Sequence, residues 1–173
     1  ISQTPYRVSF FGGGTDYPLW YRENGGAVLA TTINKYCYLS CRHLPPFFLH
    51  KYRIVYSKVE TVNDVSEISH PAVKTVLQAL GEESGVELHY HADLPAKTGV
   101  GSSSSFIVGL IHAIKALKGE LIDKHELAKL AIYFEQEVMK ENVGIQDQIL
   151  AAYGSFNKIE FNRDDSFDVS PVI

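Results

Sequence analysis

Cysteine is scarce in this 173-residue chain, which has only Cys37 and Cys41. Both lie in a run that reads as a strand, Tyr36-Cys37-Tyr38-Leu39-Ser40-Cys41, where four residues span about 13 Å. A disulfide holds its Cα atoms within about 7 Å, so these two cannot pair there. No secretory signal and no long apolar span is visible. A reduced, cytoplasmic setting with no membrane partner is therefore expected. An excess of one charge is also missing: 16 Lys and Arg against 20 Asp and Glu leave a net charge of −4. That excludes the broad basic face a nucleic-acid partner needs. Internal repeats and low-complexity linkers are absent. Hydrophobic residues make up 45% of the chain and charged residues 21%, a globular composition sufficient for one compact domain or a large part of a bigger protein. The first residue is not Met and the last three are Pro171-Val172-Ile173, so a fragment is expected.

The most informative stretch is Leu94-Pro95-Ala96-Lys97-Thr98-Gly99-Val100-Gly101-Ser102-Ser103-Ser104-Ser105. It follows an alternating strand, Val86 to Asp93, and leads into an apolar segment of helical character. Gly99 and Gly101 permit tight turns, and the small residues after them leave amides and hydroxyls uncovered. A helix start has four N–H groups without internal partners and a partial positive charge, which suits an anion. The stretch reads as a phosphate cradle. The helix behind it is apolar nearly all round (Phe106, Ile107, Val108, Leu110, Ile111, Ile114, Leu117), as a central helix would be.

The other elements follow from period and punctuation. Tyr6 to Phe11 alternates as a strand and is broken by Gly12-Gly13-Gly14-Thr15-Asp16. Pro18 to Glu23 reads as a short helical turn. Ala27–Ile33 and Tyr36–Arg42 read as two strands of a hairpin turning at Asn34-Lys35, and Tyr52 to Ser57 as a further strand. Ser69 caps a helix that opens at Pro71 and runs to about Leu80. His89 and His91 share the polar face of their strand; with nothing to complete a ligand set, they read as a solvated face. Asp123-Lys124-His125-Glu126 caps another helix, with Leu127, Leu130, Ala131, Phe134 and Val138 as its core stripe. On that helix Glu135 is flanked by Ala131, Ile132, Val138 and Met139, whereas Glu137 has Lys140 three residues on. A carboxylate on an apolar flank needs a cation or donor, so Glu135 is the better candidate metal ligand. A short helix from Ile149 and a last strand, Ser155 to Phe161, complete the pattern.

Three common phosphate or nucleophile motifs do not fit the cradle. A P-loop needs a lysine after Gly101, a dinucleotide fingerprint a third glycine where Ser104 stands, and a hydrolase elbow a glycine two residues after a serine. By contrast, Pro95-Ala96-Lys97-Thr98-Gly99-Val100-Gly101-Ser102-Ser103 resembles the central motif of the GHMP kinases, the family of galactokinase, homoserine kinase and the mevalonate kinases. Two further segments resemble galactokinase in the same order. These are Arg7-Val8-Ser9-Phe10-Phe11-Gly12-Gly13-Gly14-Thr15-Asp16-Tyr17 and Gly144-Ile145-Gln146-Asp147-Gln148.

The resemblance implies transfer of the ATP γ-phosphoryl group to a small-molecule hydroxyl. The loop from Pro95 to Ser104, through Gly99, Val100, Gly101, Ser102 and Ser103, would wrap the ATP phosphates. Ser103 and Glu135 would hold Mg²⁺. Asp147 would orient or deprotonate the acceptor, with Arg7 beside it. Where galactokinase has Glu-His, this chain has Gly13-Gly14, which opens space on the acceptor side, and Asp16 remains to accept from substrate hydroxyls. A bulkier or phosphorylated sugar fits that space. The glycine-rich phrase and its surroundings look like the branch acting on the anomeric hydroxyl of D-glycero-D-manno-heptose 7-phosphate. A non-catalytic sugar- or nucleotide-binding relative is the alternative, against which the set Arg7, Ser103, Glu135 and Asp147 argues. The implied fold is α+β, a mixed sheet packed on helices with a left-handed β-α-β unit. The family also implies a ferredoxin-like C-terminal domain that the present chain lacks.

Overall fold

The strand β2 (Gly26–His43) organises the molecule, running eighteen residues with no turn. In the computed structural model residues 1–95 and 98–173 are described, and Ala96 and Lys97 of the cradle lie outside the described residues. The hairpin expected at Asn34-Lys35 does not form. The first part of β2 pairs with β6 (Phe156–Phe161) over Gly26–Thr31, and the last part with β5 (Val86–Ala92) over Cys37–His43. Strand β1 (Ser2–Phe11) pairs along both parts, with register shifts between Pro5 and Arg7 and between Ser9 and Phe11. Asn34 and Lys35 therefore lie where β2 leaves one partner for the other and where its register with β1 shifts, between Thr32 and Tyr36, yet the strand runs through them without a turn.

The seven-stranded sheet has the order β4-β3-β5-β2-β6-β7, with β1 on β2. Strands β4 (Val59–Val62) and β7 (Phe167–Pro171), unexpected from the sequence, are the outer strands of that order, and β3 (Tyr52–Val55) is shorter than expected. All pairings are antiparallel except β3 with β5. The chain between those two strands carries α2 (Pro71–Ala79). Its cap is His70 rather than Ser69, with Nδ1 accepting from the Val73 N–H at 3.5 Å.

The helices α3 (Ser102–Leu117), α4 (Lys124–Tyr133) and α5 (Gln146–Tyr153) pack together, and α3 lies against β1 and β2. Ile107, Leu110, Ile111 and Ile114 of α3 are all buried. Each contributes about 1.5–3 kcal/mol relative to exposure, which anchors the helix whose mouth forms the cradle. Asp123 caps α4 as expected, accepting from the Glu126 N–H at 2.9 Å. Beyond Tyr133 the helix widens to a π turn over Phe134–Val138. The wider turn shifts the phase of the stripe, so Phe134 stays buried while Val138 is exposed rather than in the core. The short helix α1 (Pro18–Asn24) links β1 to β2. Cys37 and Cys41 are free thiols, and burial pushes both up to about 12.

The sheet face carrying His89 holds an ion cluster and no metal set. Glu87 accepts from Arg42, Arg53 and His89, and no group of three metal-ligating side chains occurs among the described residues. Nor is any described helix long and apolar enough to cross a membrane.

Candidate active site

The cradle is stitched to β1 before α3 begins. The Arg7 N–H donates to the Val100 carbonyl at 3.0 Å, and Arg7 Nη1 donates to the Gly99 carbonyl at 2.7 Å. Gly101, at φ +75°, turns the chain into α3, and no side chain caps the helix. The Ser105 N–H is the first to bond back, to the Gly101 carbonyl at 3.0 Å. The amides of Ser102, Ser103 and Ser104 thus precede the helical ladder, beside a cleft of about 1020 Å³. Pro95, Gly99, Gly101 and the three serines line this cleft, while Val100 packs against the core behind it.

Across the cradle, Arg7 and Asp147 form a two-point ion pair. Nε donates to Oδ1 at 2.5 Å and Nη2 to Oδ2 at 2.8 Å, with side-chain exposures of 16% and 21%. Burial raises the Asp147 carboxyl above its usual range; Arg7 opposes that shift and the charge of Asp16 adds to it. A Cβ on Gly101 would stand 3.1 Å from Asp147 Oδ2 and 3.3 Å from Arg7 Cγ. The cradle's turn therefore rests directly on the ion pair, which brings the predicted anion site and the predicted acceptor carboxylate together.

Asp16 is 1% exposed and ties the glycine-rich turn after β1 to the start of α5. Oδ1 accepts from the Gly14 N–H at 3.0 Å and Oδ2 from the Gln146 N–H at 3.2 Å. Asp16 and Tyr17 line the cleft, whereas Gly13 and Gly14, both exposed, are not among its lining residues, and Gly14 touches the site only through its bond to Asp16. Around Gly14 a Cβ would meet nothing within 4 Å, and at Gly13 only Ser9 Oγ at 3.8 Å.

Glu135 sits on the π turn with no exposed surface, while Glu137 is solvated and pairs with Lys140 at 2.9 Å. Its carboxylate accepts from Ser104 Oγ and from Gln148 Nε2, and burial pushes it up to about 7 against those hydrogen bonds. No cation touches it among the described residues. The hydroxyl against Glu135 is thus that of Ser104, whereas Ser103 is exposed at the cleft. Sequence reasoning missed Gln148 as a partner of Glu135. Its position beside Asp147 in the third motif was the one signal available.

A carboxylate short of a cation, beside exposed hydroxyls and free amides, suits Mg²⁺. That ion is commonly held by one or two carboxylates together with substrate phosphates. At the far end the cleft becomes aromatic. His70 stacks on Phe106 at 5.0 Å between centroids, with Tyr56 and Tyr90 edge-on to this pair.

The family model described as the GHMP kinases N terminal domain matches residues 66–155. The chain belongs to the GHMP kinases. This GHMP kinase chain is 31% identical to a D-glycero-alpha-D-manno-heptose 7-phosphate kinase of Campylobacter jejuni, across 99% of its own length and 53% of that protein. It is 28% identical to the galactokinase of Thermotoga maritima, across 88% of its length and 43% of that protein. Among solved structures it superposes with TM-score 0.90 on a D-glycero-D-manno-heptose 1-phosphate kinase from Bacteriodes thetaiotaomicron. There the identity is 26%, covering 99% of this chain and 59% of the other. The chain spans about half the length of the curated relatives it matches.

Proposed function

We propose that the full-length protein transfers the γ-phosphoryl group of ATP to a sugar-phosphate hydroxyl, with the anomeric hydroxyl of D-glycero-D-manno-heptose 7-phosphate as acceptor. The observation that carries this reading is the Arg7–Asp147 pair set against the uncapped mouth of α3. Phosphoryl transfer depends on positioning and charge compensation, and this juxtaposition provides both. The loop from Pro95 to Ser104 would hold the ATP phosphates on its amides. The adenine would rest on the aromatic end at His70 and Phe106. Ser103 and Glu135 would hold Mg²⁺, which neutralises charge on the phosphate oxygens.

Asp147 accepts two hydrogen bonds from Arg7, which leaves lone pairs for the acceptor hydroxyl. As the hydroxyl oxygen bonds to the γ-phosphorus and the bond to the bridging oxygen breaks, the hydroxyl proton passes to Asp147. The raised affinity of Asp147 for a proton supports that step, and Arg7 would meet charge on the phosphoryl oxygens. Asp16 would accept from sugar hydroxyls, with Gly13 and Gly14 leaving room for a larger acceptor. The part of the protein beyond this chain, a C-terminal domain on the family pattern, would close the cleft, and a cytoplasmic setting supplies the ATP.

The test is an ADP-release assay on the full-length protein with heptose 7-phosphate, heptose 1-phosphate, galactose and fucose. Turnover with the 7-phosphate well above the rest is expected. The galactokinase similarity supports a second reading, a free hexose as acceptor, and a preference for galactose would establish it instead. No ADP release with any sugar would favour the non-catalytic binder.

A further inference from the structure

Asp147 and Gln148 are consecutive on the first turn of α5 and hold different residues of the cleft. Asp147 takes both arms of Arg7, while Gln148 donates from Nε2 to Glu135 Oε2. Ser104, on the first turn of α3, donates from Oγ to the same Oε2 at 2.9 Å, with a longer 3.2 Å contact to Oε1. Of the two carboxylate oxygens, Oε2 is held from two sides. Oε1 has only the longer, shared contact and keeps lone pairs to offer.

Two details describe how Gln148 is held. It has no exposed surface, and its own carbonyl oxygen is buried without a hydrogen-bond partner among the described residues. The amide is thus oriented by its bond to Glu135. Glu135 lies on the π turn at Phe134–Val138, within reach of both donors.

We propose that Ser104 and Gln148 are positioning residues that pin Glu135 Oε2 and turn Oε1 toward the cation of the nucleotide complex. Through Gln148 the first turn of α5 then sets the metal-facing carboxylate and the acceptor carboxylate in one fixed relation. This rests on the reading of Glu135 as a metal ligand. Groups that hydrogen-bond to a metal-binding carboxylate typically alter metal affinity tenfold or more.

The experiment measures Mn²⁺ binding to the full-length protein with ADP by electron paramagnetic resonance, alongside ADP binding in EDTA. In Gln148→Met and in Ser104→Ala the Mn²⁺ dissociation constant should rise about tenfold or more, while in Gln148→Met, which lies outside the phosphate loop, metal-free ADP binding stays within twofold. A purely structural role would weaken both or neither. Parent-like Mn²⁺ affinity in the two folded variants overturns the inference. Should Gln148→Met fail to fold, Ser104→Ala decides by its Mn²⁺ affinity. Glu135→Gln separates the layers. If it abolishes Mn²⁺ binding while the other two variants are parent-like, only the positioning role falls. If it leaves Mn²⁺ binding intact, the metal reading falls and the inference with it.

Discussion

Arg7 on β1 and Asp147 on α5 lie 140 residues apart in sequence and meet through two parallel hydrogen bonds, at 2.5 and 2.8 Å. A third bond, from Arg7 Nη1 to the Gly99 carbonyl at 2.7 Å, makes the same guanidinium a support for the cradle. Arginine suits both tasks because its donors are fixed in one plane. If Asp147 receives the acceptor proton, Asp147→Asn should lower turnover by about 10²–10⁴ while nucleotide still binds. The partly buried Arg7 charge loses its partner, so a stability loss of about 1–3 kcal/mol is also expected. Full activity in the folded variant would remove Asp147 from the mechanism; chemical denaturation and ADP titration provide the controls.

Gly101 tests the contact between cradle and ion pair. Its φ of +75° is a left-handed conformation that costs other residues about 1–2 kcal/mol, and a Cβ would lie 3.1 Å from Asp147 Oδ2. Gly101→Ala should therefore lose about that much stability and weaken both ATP affinity and turnover. Gly119, at φ +73° with open space around it, is the control. Gly119→Ala should show a similar stability loss with unchanged kinetics. Equal kinetics in the two variants would mean that Gly101 acts through backbone conformation alone.

Acid sensitivity is expected from Glu87, which is not among the residues lining the cleft. Its hydrogen bond with His89, followed by those with Arg53 and Arg42, holds its carboxyl down at about 2, against opposing desolvation. A carboxyl depressed in the folded state contributes stability above its unfolded pKa, and that contribution is lost as pH falls through the folded value. The affected window runs from about 4.5 down to about 2. Taken at face value the shift is worth about 3 kcal/mol. Arg42 and Arg53 have 59% and 36% of their side chains exposed, so screening brings the expectation to about 1 kcal/mol. Denaturant melts should show Glu87→Gln less stable than the parent at pH 7, with the gap closing toward pH 2. A constant gap across that range would show that Glu87 acts by packing.

Local signals in the sequence located much of this arrangement. The alternation from Val86, the apolar helix behind the serines and the Asp123 cap each depend on residues within a turn or a strand of one another, and each stands as expected. So does the contrast between Glu135 and Glu137, since an apolar flank is visible in a helical period. What escaped notice depends on distant partners. Asn34-Lys35 reads as a turn because nothing local reports that β1 pairs with β2 on both sides of it. Val138 reads as a core position because an α-helical period cannot anticipate a π turn. The link from Glu135 to Ser104 and Gln148 joins three elements and has no local signature.

The tightest approach in the site is between Gly144 and Asp16. A Cβ at Gly144 would fall 1.8 Å from Asp16 Oδ2, closer than any side chain could stand, so Asp16 or the start of α5 would have to move. The carboxylate is held by the Gly14 and Gln146 N–H groups, and moving it breaks bonds to two buried or half-buried amides. Gly144→Ala should therefore destabilise by about 1–3 kcal/mol, as overpacking commonly does. Asp16→Ala should cost a comparable amount by leaving those donors unpaired. The double variant separates a direct clash from a backbone effect. Removing the carboxylate clears the space that the new methyl needs, so the combined loss should fall short of the sum by about 1 kcal/mol or more. Strict additivity in denaturant melts would show that Gly144 is required for its own backbone geometry and that the contact with Asp16 carries no energy.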